Sequence, residues 1–304
     1  MTRFVLALLA LPAFAQTCDR ACLTKTLDSY LAAIVAHDPT RVPIAPDARF
    51  VENTKVTKPG EGLWKTASEV PTAFKIYVPD PTAQQIGFIG MMKEDGKPIQ
   101  LGLRLKLRNG KIVEMEHLIA RDLRDFSLAN LQTPRPGLLT VVPPAERTPR
   151  EQMLTIGLSY YTALTTANGD AAPFADDCVR RENGMQTTSG PAPKSPGRGT
   201  IGAMGCRGQL FTGTFNYIKR IEPRRVEIAD VETGLVFGLS QFRHPMTEKT
   251  LKITGVPGVD SVDMSTTKPF DLPAAHIFKI RGGKIHEIEA MGFTMPYNSP
   301  TGWE

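Results

Sequence analysis

Histidine, aromatic side chains and long apolar runs are all scarce in this sequence, and each scarcity removes a class of function. The 304 residues include five histidines, and aromatics make up 7%. Beyond the first residues no stretch is apolar enough to cross a bilayer, which takes about 20 residues. There is no Cys-x-x-Cys, and no histidine stands near a cysteine at ligand spacing, so the sequence offers no metal site. No glycine-rich phosphate loop follows a strand and no nucleophile elbow occurs, so no cofactor is expected. Lys and Arg outnumber Asp and Glu by 36 to 31, a net charge of +5. The basic residues are dispersed without interleaved aromatics, which argues against a nucleic-acid partner and supports only a weak preference for acidic ligands.

The first fifteen residues read as a targeting segment. Arg3 is the basic flank, Phe4–Leu11 the short apolar run, and Ala13-Phe14-Ala15 a small-x-small cleavage site. Cleavage after Ala15 is expected, giving a secreted or periplasmic protein with no membrane partner. An even count of four cysteines in an exported chain reads as disulfides, with three possible pairings. Cys18–Cys22 and Cys178–Cys206 are favoured: the first closes a short loop before a helix, the second brackets a Gly/Pro-rich excursion.

The sequence carries one pattern twice. Residues 98–119 and 274–293 are each an alternating apolar strand, a turn on Asn109-Gly110 or Gly282-Gly283, then Gly-Lys-Ile and a strand with Glu-x-Glu. Upstream, residues 37–54 match 169–186, ending on Glu52-Asn53 and Glu182-Asn183. A period of roughly 130–170 residues is too long for a solenoid and indicates a duplicated domain. The division expected is a signal peptide (1–15), a first domain (16–125), a Pro-rich linker (126–147) and a second domain (148–304) with insertions at 184–208 and 245–273. Asp19 is placed to cap a helix running to about Val35. Thr148-Pro149-Arg150-Glu151 reads as a capping box opening the second domain's helix. Leu101, Leu103, Leu105 and Leu107 share one sheet face, with Arg104 and Lys106 on the other. Glu114 and Glu116, and in the second copy Glu287 and Glu289 beside Lys279 and Arg281, are expected to form solvated outer ladders.

Helix, broken helices, strand and long meander is the order of the nuclear transport factor 2-like superfamily, and the chain resembles two SnoaL-like domains in tandem. It also resembles an exported two-copy family of uncharacterised function. The resemblance implies an α+β protein of two cone-shaped domains, each a curved, mostly antiparallel sheet wrapped on helices, the cystatin-like arrangement. Members include isomerases, dehydratases, cyclases and pure binding modules, so fold alone does not give function. In ketosteroid isomerase a helix tyrosine and a strand aspartate face the cone. By that likeness Glu182 falls at the base position, with Glu52 its counterpart. Tyr30 falls where the tyrosine would stand, Tyr161 fits after a one-residue shift, and the second donor falls on His276, where the first copy has Leu103.

Glu52, Glu182, His276 and Tyr30 are thus the candidate catalytic groups, and Tyr161, Arg180, Trp64 and His117 the candidate ligand contacts. A carboxylate in an apolar cone gains basicity by desolvation; Arg180, two residues from Glu182 on the same face, would oppose this if it pairs. His37, His244 and His286 read as loop or edge residues. The partner expected is a small, fairly apolar or aromatic molecule, with a homodimer as the alternative to a monomer. Two functions stay open: cofactor-free acid–base catalysis as an isomerase, lyase or cyclase, and non-catalytic binding or interaction.

Overall fold

The computed structural model describes residues 17–195 and 197–304. The expected signal peptide and its cleavage site lie outside the described residues. Asp19 accepts a hydrogen bond from the Cys22 backbone N–H at 2.8 Å and opens α1 (Arg20–Val35), which buries Leu23, Leu27, Tyr30, Leu31 and Ile34. A short 3-10 turn at Pro39–Arg41 leads into β1 (Ile44–Glu52) and β2 (Lys55–Thr57). Then come α2 (Leu63–Thr66), β3 (Ala67–Glu69), β4 (Lys75–Asp80) and the meander β5 (Gln85–Glu94), β6 (Lys97–Arg108) and β7 (Lys111–Ala120). Asp95-Gly96 and Asn109-Gly110 make the two hairpin turns, all four residues at positive φ, as type I′ turns require. The sheet runs β2-β1-β7-β6-β5-β3, with β4 also on β5; β1 and β7 are parallel, the other neighbours antiparallel.

The connection holds two single-turn helices, α3 (Asp125–Leu128) and α4 (Pro136–Leu139), before α5 (Arg150–Thr166) repeats α1. The capping box does not form. Pro149 occupies the cap position, and Thr148 Oγ1 instead accepts from the Gly283 N–H at 3.0 Å, tying the helix start to a hairpin turn. A 3-10 turn at Gly169–Ala171 and β8 (Phe174–Glu182) follow, then β9 (Met185–Gln186), α6 (Gly199–Ala203) and α7 (Cys206–Leu210). The remaining strands are β10 (Arg220–Asp230), β11 (Leu235–His244), β12 (Thr250–Lys252), β13 (Ser261–Asp263), β14 (Phe270–Arg281), β15 (Lys284–Gly292) and β16 (Met295–Pro296). The second sheet runs β10-β11-β14-β15-β8-β9, with β15 and β8 parallel, so it repeats the first in strand order. The later insertion contributes the β12–β13 hairpin, whose Leu251, Ile253, Val256 and Val259 pack with Ile201 and Met204 of the earlier one. Both disulfides are present, Cys18 to Cys22 and Cys178 to Cys206.

The two sheets pack on each other through the faces turned away from the helices. Phe74, Ile76, Ile89 and Leu118 meet Phe237, Leu239, Ile277 and Met291. Approach is close enough to require glycine: a Cβ on Gly87 would stand 2.2 Å from the Phe237 ring, and one on Gly102 would stand 2.9 Å from the Ala275 methyl. This overturns the solvated ladders. Glu116 is 4% exposed, held by Arg104 and by Arg225 of the other sheet at 2.5 Å. Glu289 is 1% exposed, and Arg135 of the connection reaches both Glu287 and Glu289 at 3.2 Å. Lys279 turns to the carbonyls of Thr140 and Thr233 rather than to a carboxylate. A charged face that is covered must be paired inside the protein, since water is no longer there to solvate it.

Candidate functional site

The two copies use the same strand row and fill it differently. In each, α1 or α5 ends on a residue at positive φ, His37 or Ala167, followed by a capping side chain, Asp38 or Asn168, that accepts from an N–H two residues on. Counting back from these caps, Tyr30 corresponds to Tyr160, not Tyr161; aligning on Gly169-Asp170 misplaced the pairing because Asn168, not Asp170, does the capping. Counting forward, Glu52 corresponds to Glu182 and Phe50 to Arg180. Across the sheets the first copy lines up Glu52, His117, Leu103 and Phe88. The second lines up Glu182, Ala290, His276 and Gly238.

The repeated Glu-Asn has a shared structural part. Asn53 sits at positive φ, and its side chain exchanges hydrogen bonds with Ile119, donating to the carbonyl at 3.3 Å and accepting from the N–H at 2.8 Å. Asn183 does the same with Gly292. Each asparagine thus extends the parallel pairing by one position and fixes the preceding glutamate at the mouth of the cone.

In the first copy the cone is plugged. His117 is fully buried, with Nε2 2.9 Å from the Tyr30 hydroxyl and Nδ1 3.2 Å from Glu52. The Glu52 carboxylate also accepts the Leu63 N–H at 3.0 Å. Trp64 is fully buried and meets Tyr30 edge to face at 5.2 Å. Burial pushes the Tyr30 phenol well above its ordinary value. Four of the expected site residues, Tyr30, Glu52, Trp64 and His117, are therefore brought together, but around each other rather than around a space.

In the second copy the same region holds a cavity of about 280 Å³. Glu182, His276 and Ala290 line it along the strand row; Tyr160, Phe215, Tyr217, Phe242 and His244 form aromatic walls, and Arg124, Phe126 and Met185 stand at its margin. The alanine at 290, where the first copy has a histidine, leaves the row open between Glu182 and His276. Glu182 forms an ion pair with Arg180, Oε1 to Nε 2.7 Å. Arg180 itself is 2% exposed, sits over the Phe215 ring and donates to Thr187 and Gln209. Its partners leave it as the support of Glu182 rather than as a wall of the cavity.

His276 faces the cavity with Tyr161 behind it, the hydroxyl 3.2 Å from Nδ1. Burial first, and the Arg180 charge second, lower the imidazole to about 3, so it is neutral near pH 7. Tyr161 has one hydroxyl proton, and burial raises its phenol well above the ordinary value. Donated to Nδ1, that proton leaves the ring's own on Nε2. Nε2 has no hydrogen bond to protein among the described residues and is available to the cavity. Gly238 makes room for this arrangement, since a Cβ there would lie 3.0 Å from the Tyr161 oxygen. Tyr161 is thus a positioning residue behind the wall, and Tyr160 is the tyrosine on it.

His244 is not a loop residue. It is 2% exposed, stacks on Phe270 at 4.3 Å and on Tyr217 at 5.3 Å, and burial lowers it to about 4. Sequence reasoning missed it together with Tyr160, Tyr217 and Phe242. The alternation Phe242-Arg243-His244 at the end of a strand was the available signal. His37 Nδ1–H donates to the Trp64 carbonyl, 2.7 Å away, and His286 pairs with Asp177 at 2.6 Å. Among the described residues no cluster of His, Cys, Asp or Glu could hold a metal ion.

A duplicated α+β cone, one plugged and one hollow, is the class that the topology and the cavity define. The chain matches the family described as Domain of unknown function (DUF8021) over residues 16–119 and 146–292, and it belongs to that family. A search of curated proteins gave no match. Among solved structures, a provisionally named SnoaL-like polyketide cyclase from Jannaschia sp. is 16% identical, covering 50% of this chain and 88% of its own, with a TM-score of 0.30. A provisionally named polyketide cyclase from Xanthomonas campestris pv. campestris is 17% identical, covering 47% and 90%, TM-score 0.29. An NTF2-like protein from Burkholderia thailandensis is 15% identical, covering 47% and 90%, TM-score 0.25.

Proposed function

We propose that the second copy binds a small, neutral, ring-bearing molecule in its cone, and that the first copy is a plugged scaffold for it. The observation that carries this reading is the replacement of His117 by Ala290 in otherwise matching strand rows, with a cavity of about 280 Å³ where the first copy has packed side chains. The walls are aromatic, which suits a flat apolar body. His276 Nε2–H would donate to one acceptor on the ligand. The Arg180–Glu182 pair cancels its own charge, so the site does not call for an ionic ligand.

Turnover is the second reading. A carboxylate and a neutral imidazole N–H face one space two strand spacings apart, about 10 Å between backbones. Glu182 would take a proton from carbon while His276 steadies the oxygen that gains charge. Arg180 works against this by occupying a Glu182 oxygen in an ion pair at 2.7 Å, which is why binding is preferred. Export is part of the proposal, supported by the two disulfides, which form and persist in oxidising compartments.

The test is native mass spectrometry of small molecules retained by the purified full chain. Ala290→His, which restores the first copy's residue, is expected to abolish retention while leaving the fold intact by circular dichroism. Equal retention by parent and variant overturns the reading. For a retained compound that the parent converts, Glu182→Gln separates the two functions: unchanged turnover removes Glu182 from the chemistry.

A further inference from the structure

On the opposite face of β8 and β14 from the cone lies a second cleft, of about 490 Å³, between the second sheet and the connecting segment. Strand alternation puts Arg181 there because Arg180 and Glu182 face the cone, and it puts Lys279 there because Phe278 and Ile280 face the helix. Arg135, Arg181, Lys279, Arg281 and His286 line the cleft, against only Asp177 and Glu287.

The acids of this cleft are already engaged. Glu287 is 3.2 Å from Arg135, and Asp177 is 2.6 Å from His286. Glu289, beneath the cleft, also belongs to Arg135. Lys279 is satisfied by two carbonyl oxygens and has no carboxylate. Arg181 has neither an ion pair nor a hydrogen bond among the described residues, and its Nε is buried without a partner. Burial first and the neighbouring Arg135 charge second lower its pKa, outweighing the opposing charges of Glu289 and Glu287, which are shared with Arg135. A half-buried guanidinium with no acceptor is costly unless something supplies one. The connecting segment adds an apolar wall of Val141, Val142 and Pro143.

We infer that this cleft binds a phosphate or sulfate oxyanion, with Arg181 as its fork-shaped ligand and Lys279 supplying further positive charge, Arg281 being paired with Glu146 and Asp177. Guanidinium matches such an oxyanion through two parallel N–H groups. The oxyanion is either a free ion or the head of an ester whose body rests on the valine–proline wall.

The test is isothermal titration calorimetry of the full chain with inorganic phosphate and with phenyl phosphate, against sodium chloride at matched ionic strength. Saturable phosphate binding is expected, weakened at least about tenfold by Arg181→Gln, which removes one charged hydrogen-bonding pair. Val141→Glu places a negative charge on the exposed wall of the cleft without removing any hydrogen-bonding group and is expected to weaken binding similarly; it decides the matter if Arg181→Gln does not fold. Tighter phenyl phosphate than phosphate identifies an ester, and equal affinity identifies the free ion. Ala290→His, in the cone, is expected to leave both affinities unchanged. Heat no different from that of matched chloride overturns the inference, as does parent-like binding by the two cleft variants.

Discussion

Lowering the pH from 7 to 5 perturbs the cavity walls selectively, because two of them are imidazoles that the fold keeps uncharged. In the unfolded chain each titrates near 6.5, whereas in the folded protein burial lowers His276 to about 3 and His244 to about 4. A folded value depressed in this way makes the stability complete above about pH 6.5 and progressively lost as the pH falls toward the folded value. At pH 5 each histidine is about 1.5 units below its unfolded pKa, worth about 2 kcal/mol, or about 4 kcal/mol for the two. Glu289 acts in the opposite direction. Burial raises it to about 7, so its cost is relieved as the pH falls, returning about 2 kcal/mol by pH 5. Carboxylates held below their ordinary value, such as Glu94 beside Arg121, lose their contribution only at lower pH. The net expectation is a loss of about 2 kcal/mol, a sizeable share of the 5–15 kcal/mol typical of a domain. Urea denaturation at the two pH values measures it by circular dichroism. His276→Leu and His244→Phe should each remove about 2 kcal/mol of the pH-dependent loss, so that the double variant becomes more stable at pH 5 than at pH 7. Variants that keep the parent's full pH dependence would refute the claim that the walls are buried, neutral imidazoles.

Trp64→Ala should destabilise the first copy by about 3–5 kcal/mol, because a fully buried indole is removed from a packed cone; a urea midpoint shift equivalent to less than about 1 kcal/mol would mean that Trp64 is not the plug. Replacing Cys178 and Cys206 together by serine should cost about 3–4 kcal/mol in the chain-entropy account of a loop of this length, and should loosen the insertion around α7 first. Limited proteolysis checks the location, with early cleavage outside residues 184–208 as the contrary result.

Much of the fold is legible in particular residues. Asp95-Gly96 and Asn109-Gly110 announce their turns because few residue pairs tolerate two successive positive φ values. The leucine alternation of β6 gives its buried face, and Asp19 gives the start of α1. The pairing of the two helices was harder to read. Gly169-Asp170 looks like His37-Asp38, but the cap that fixes the register is Asn168, so Tyr160 was passed over for its neighbour Tyr161. The glutamate ladder of the first copy has its expected cross-strand pairs, Arg104 and Lys106 with Glu114 and Glu116, but not its expected solvation. A row of alternating charges reads as solvent-facing when what covers it is not in view, here the second sheet over Glu116 and the connecting segment over Glu287 and Glu289.

By itself the sequence determined the duplication, the α+β order of each copy and the pairing of turn, cap and alternating strand, since these depend on neighbours a few residues apart. It could name Glu52 and Glu182 as equivalents, because the repeat carries them in the same local pattern. Only the tertiary structure decided that one cone is shut and the other open. That outcome depends on whether His117 or Ala290 stands between strands far apart in the chain, and on whether a tryptophan or an aromatic-walled space meets the helix tyrosine. Packing of this kind is a property of volumes summed across several strands, and no short window of sequence contains it.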